Sequence, residues 1–194
     1  MAAALEMSAP PAAPLHRPRT LLIGTLFATA GSLAYFAALF GIYYAERSAA
    51  DSWFPDGAIS LVPGTMMFWT LVMSCATIQW AAYAIANGAR TQSYLALAIT
   101  ALLGVAVINQ TIFYYLDMGL AIDESRAALL LYVITGSHLA MLGAAIVFVL
   151  LMALRALAGQ YAGRQSDGIV AATIYWYAMV AVYFVIWIGI YIAK

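Results

Sequence analysis

The chain has 194 residues, 66% of them hydrophobic and only 8% charged, with eight basic and eight acidic residues that cancel. Soluble domains carry roughly a quarter charged residues, so this composition excludes a water-soluble globule and, lacking a basic face, excludes nucleic-acid binding. One cysteine, Cys75, cannot build a disulfide scaffold, and two histidines, His16 and His138, are too few to ligate haem, copper or zinc within the chain.

Residues 1–19 form an Ala/Pro-rich segment whose prolines at 10, 11, 14 and 18 oppose a helix, which predicts a flexible tail. It does not read as a signal peptide, because its positive charges come late and the apolar run behind them is too long. Beyond it the charges cluster and leave five uncharged runs, at 20–45, 61–89, 91–116, 127–154 and 168–193. A helix needs about 20 apolar residues to cross a bilayer. The runs are continuous rather than alternating, which disfavours strands. The expected fold is all-α: a polytopic membrane protein in which residues 20–194 form a single domain of five transmembrane helices.

The connecting segments set the expected orientation. Arg17, Arg19, Arg90, Arg155 and Arg164 fall on one side, and Arg47, Arg126 and Lys194 on the other. The excess of basic residues marks the first side as cytoplasmic, so the N-terminus lies inside and the C-terminus outside.

No Asp, Glu, Lys or Arg falls inside a predicted span, which weighs against a proton pump or ion-coupled transporter acting alone. The polar groups that remain are mild, among them Thr29, Ser32, Gln79, Asn109, Gln110, Thr135 and Ser137. His138 falls about 18 Å into the fourth span. It reads either as a ligand or proton relay, or as a neutral histidine hydrogen-bonded to a neighbouring helix. With no second intramembrane histidine, packing is favoured. Small residues recur four apart at Gly24/Ala28, Ala37/Gly41 and Gly136/Ala140, a spacing that lets helices approach closely. In the fifth span Tyr183, Trp187 and Tyr191 form an aromatic ridge, of which Trp187 and Tyr191 are expected to anchor at the membrane interface.

Three stretches carry a more specific pattern: RPRTLLIGTLFATAGSLAYFAALFGIYYAER at 17–47, YVITGSHLAMLGAAI at 132–146 and IYWYAMVAVYFVIWIGIYIAK at 174–194. They resemble the haem-copper (cytochrome c) oxidase subunit III family in its short, five-helix bacterial form. Pro18 matches the family's Arg-Pro pair, and Arg47 the Arg that closes the following helix. Gln110 matches a Gln of the middle helix. Thr135, Gly136 and His138 match the core of TGFHxxHV, and Tyr175 and Trp176 the YW of YWHFVD. The departures are systematic: Ser32 stands where the family has a buried Glu, Met141 at the second His, Tyr177 and Val180 at the His and Asp of YWHFVD, and Phe113 at a Glu near the matching Gln.

The resemblance implies a non-catalytic accessory subunit of a membrane haem-copper terminal oxidase in aerobic respiration. It would pack beside catalytic subunit I and the other oxidase subunits in the bacterial cytoplasmic (inner) membrane. The chain is expected to bind no cofactor, haem and copper belonging to its partners, and to hold structural phospholipid. Two other functions fit the residues: an accessory subunit of a nitric oxide reductase system, and a stand-alone membrane scaffold or transporter.

Overall fold

A computed structural model describes residues 19–55, 57–159 and 167–193. The predicted N-terminal tail, with Pro18 in it, lies outside the described residues except for Arg19. So do Arg164 and Lys194. The described residues form five long apolar helices. They are α1 (Thr20–Ser48), α2 (Leu61–Ala86), α3 (Arg90–Met118), α4 (Arg126–Leu157) and α5 (Asp167–Ile186), the last running on as a π-helical segment, Trp187–Ile192. At about 1.5 Å per residue, 26 to 32 residues in each of α1 to α4 exceed the roughly 30 Å of a bilayer core.

The helices overrun the uncharged stretches. Glu46 and Arg47 lie in the last turns of α1, Asp117 in α3 and Arg155 in α4. Charge stops a span from being buried in lipid, but it does not stop a helix continuing into the headgroup layer. Local chemistry sets the true ends. Gly119 closes α3 with a left-handed φ of 67° that other residues rarely adopt. Ser125 caps α4 by accepting the Ala128 amide at 3.0 Å. Pro63 sits in the first turn of α2, where its missing N–H costs nothing.

Around α5 the other helices make an incomplete ring. The antiparallel pair α2–α3 packs most extensively, α3 continues onto α4, and α1 leans on α4 and α5. Helix α5 touches α1, α2 and α4 and is the most buried, whereas α1 keeps most of its surface outside. Because α5 is apolar on every side, burial and not amphipathicity marks it as central. An exposed ion pair, Arg126–Glu46 at 3.5 Å, joins the start of α4 to the end of α1; at such exposure it contributes little.

Candidate functional site

In an apolar bundle, helices associate through close packing and a few interhelical hydrogen bonds. Those bonds converge here on α5. Trp176 is fully buried and donates its indole N–H to Ser74 Oγ on α2 at 2.8 Å. Ser74 passes its own proton to the Leu71 carbonyl at 2.6 Å. The indole lies over Gly104 of α3, where an added Cβ would stand 2.7 Å from the ring. Three helices are thus pinned at one depth. A neighbouring hydroxyl pair, Thr77 and Thr100 at 2.7 Å, ties α2 to α3.

His138 is buried on α4, and its Nε2 lies 3.0 Å from the Met179 carbonyl of α5. The ring sits between Phe36 of α1, at 6.3 Å, and Tyr183 of α5, at 5.3 Å. A ring nitrogen facing a carbonyl must carry the proton, so Nε2 donates. This is an interhelical clamp.

Toward its C-terminal end α5 meets α2 through aromatics. Tyr183 donates its hydroxyl to the Gly64 carbonyl at 3.1 Å, and the buried Tyr191 ring occupies the space a side chain at Gly64 would need. Trp187 stacks on Phe68, with centroids 4.5 Å apart and planes within 2°, and donates to Thr65 Oγ1 at 3.1 Å. The expectation that Tyr191 anchors at the interface is therefore corrected: it is 1% exposed, wedged beside Gly64 and Tyr114. The ring fills a gap that glycine leaves, and that packing outweighs interfacial solvation.

The residues singled out from the sequence scatter rather than form one pocket. His138 and Trp176 face α5's contacts with α4 and α2, and Thr135, also buried, turns its hydroxyl back to the Leu131 carbonyl of its own helix. Tyr175 is half-buried. Arg47 reaches the Gly189 carbonyl at 3.4 Å, joining the C-terminal ends of α1 and α5. Gln110 lines an open groove beside α2. Gly136 is exposed, with no atom near its missing Cβ, and Gly24 and Gly41 are likewise open. The close approaches fall instead at Gly64, Gly104 and Gly189, the last beneath the Tyr44 hydroxyl. Isolated glycines in apolar runs were their only signal in the sequence.

Of the positions that depart from the family pattern, Val180 is buried in the core and Met141 is packed against it. Tyr177 donates to Gln79 Oε1 at 2.7 Å, a replacement polar link between α5 and α2. Phe113 is 70% exposed, so that position lies on the outer surface of α3 and not in a buried network. Among the described residues no group of three His, Cys, Asp or Glu side chains converges to hold a metal ion.

Five long apolar helices tied together by neutral hydrogen bonds define a polytopic helical membrane protein whose polar interior serves assembly of the bundle. Residues 19–194 match the family model of cytochrome c oxidase subunit III, and the chain belongs to that family. It is 28% identical over 197 residues to a cytochrome c oxidase subunit 3 of Corynebacterium diphtheriae, covering 96% of this chain and 93% of the relative. It is 26% identical over 185 residues to a "Probable cytochrome c oxidase subunit 3" of Mycobacterium leprae, covering 93% and 91%. A cytochrome c oxidase subunit 3 of Papio hamadryas, 26% identical over 181 residues, is covered over 69% of its own length.

Proposed function

We propose that the chain is a non-catalytic structural subunit of a haem-copper terminal oxidase in a bacterial cytoplasmic membrane, with its 20–194 portion acting as one membrane domain. It packs beside the catalytic subunit and holds phospholipid against its exposed apolar helices. The observation that carries this reading is the environment of His138. The imidazole best placed to serve redox chemistry is sealed between Phe36 and Tyr183, with Nε2 directed at the Met179 carbonyl. Oxygen reduction then belongs to partners that carry haem and copper, and His138 and Trp176 serve the helix contacts of this subunit.

Purification of the native complex through this chain tests the proposal. Haem bands in a reduced-minus-oxidised spectrum, together with a co-purifying catalytic oxidase subunit, are expected. The chain separated from its partners is expected to retain no stoichiometric haem, copper or zinc. One metal per isolated chain would overturn the reading. A co-purifying nitric oxide reductase would reassign the complex.

The proposed orientation places the N-terminus in the cytoplasm. Arg19, Arg90 and Arg155 gather at one end of the bundle, and Arg47 and Arg126 at the other. A tag at the C-terminus should accept a membrane-impermeant label in intact spheroplasts. Labelling only after lysis would invert the topology.

A further inference from the structure

From Leu102 onward α3 turns one face away from the bundle. Leu102, Val105, Asn109, Ile112, Phe113 and Leu116 recur at three- and four-residue intervals along it, all exposed. Five of the six are apolar, as a lipid-facing surface requires. Asn109 is the exception, at the centre of the face. It lies nine residues from the end of α3 at Met118, which is about 13 Å along the axis. A 29-residue helix spans about 43 Å against roughly 30 Å of hydrocarbon. A centred α3 therefore holds Asn109 about 7 Å inside the apolar layer.

Gln110, the next residue, lines a groove of about 480 Å³ between α3 and α2, walled by Val62, Thr65, Met66 and Trp69. Neither amide forms a side-chain hydrogen bond among the described residues. In the groove Thr65 Oγ1 accepts from Trp187 and Thr70 donates to the Met66 carbonyl, and neither hydroxyl bonds to Gln110. Gln79, the other amide deep in a span, is paired with Tyr177. An amide left unpaired in hydrocarbon costs several kcal/mol. Lipid tails offer it nothing, and an asparagine side chain is too short to reach the headgroups. Asn and Gln in such positions serve as hydrogen-bonding contacts between transmembrane helices. The methionine and tryptophan walls of the groove add the soft, aromatic surface typical of protein contacts.

We propose that this face of α3, with the adjoining α2 groove, docks a transmembrane helix of another oxidase subunit, one that presents a hydrogen-bonding side chain at the depth of Asn109 and Gln110. The inference rests on the functional reading above, since it takes its partner from the same complex.

A photoreactive aromatic amino acid placed at position 109 in cells making the whole oxidase tests the contact. After irradiation of membranes, mass spectrometry should find an adduct on a membrane-spanning peptide of a different oxidase subunit. Adducts on phospholipid alone, or on a second copy of this chain, would overturn the inference. In parallel, Asn109→Leu with Gln110→Leu should lower retention of the chain in detergent-purified oxidase about three- to tenfold, the scale of one or two interhelical hydrogen bonds. The unfolding midpoint of the isolated subunit should not fall, because the amides bond to nothing within it. Unchanged retention would also overturn the inference while leaving the functional proposal standing. Failure of the unmodified chain to co-purify with haem subunits is a separate result that removes the functional proposal itself.

Discussion

Replacing Trp176 by alanine is expected to destabilise the purified subunit by about 3 kcal/mol or more, the range for truncating a fully buried large aromatic. The indole is 0% exposed, fills the space over Gly104 and donates to Ser74 Oγ at 2.8 Å. Its loss opens a cavity at the meeting point of α2, α3 and α5 and removes the polar link at the same depth. Trp176→Phe keeps much of the ring volume and loses the hydrogen bond, so its cost should be nearer 1 kcal/mol. Unfolding of the subunit in mixed micelles by added sodium dodecyl sulfate would give both values. An alanine variant within a few tenths of a kcal/mol of the parent would show that α5 is not held at this point.

The glycines divide into two groups with opposite expected responses. At Gly64 an added Cβ would stand 2.5 Å from the Tyr191 ring, and at Gly104 it would stand 2.7 Å from Trp176 and 3.0 Å from Ile146. These neighbours are buried and cannot swing away. Gly64→Ala and Gly104→Ala should therefore each cost about 1–3 kcal/mol, as over-packing does. Gly24 and Gly136 have no atom within 4 Å of a would-be Cβ. Their alanine variants should be neutral or up to about 1 kcal/mol more stable, since alanine restricts the unfolded chain and favours helix. The same micelle titration measures all four. Equal losses at Gly136 and Gly104 would mean that the helix contacts are misassigned.

The five spans were legible because charge is costly in hydrocarbon, so its absence over 26 or more residues leaves few alternatives. Their ends were less so: Arg47 and Arg155 interrupt the apolar runs and yet remain helical. The helix contacts were the least legible part. On a soluble helix a polar face declares the outside, but α5 is apolar all round and its sequence does not say which side meets which neighbour. Four-residue spacing of glycine and alanine singled out Gly136 and Gly24, which face outward, and passed over Gly104, whose neighbours four residues away are Thr100 and Ile108. One imidazole cannot complete a ligand set, and the His138 ring nitrogen meets the neighbouring helix α5. Its acceptor is a main-chain carbonyl, which side-chain patterns never reveal.

The π-helical ending of α5 has a consequence for the phase of its aromatics. In a regular α-helix each step of four residues drifts by about 40° around the axis. From Tyr183 to Trp187 and on to Tyr191 the drift would reach about 80°, carrying Tyr191 away from the side on which Tyr183 touches α2. Between Trp187 and Ile192 the i→i+5 winding advances each residue by only about 80°, so the second step turns back where the first turned forward. Tyr183 and Tyr191 are thereby returned to nearly the same azimuth. Both meet Gly64, one at its carbonyl and one at its bare Cα. The wide turn and the missing side chain are one fitting, shared between two helices far apart in sequence.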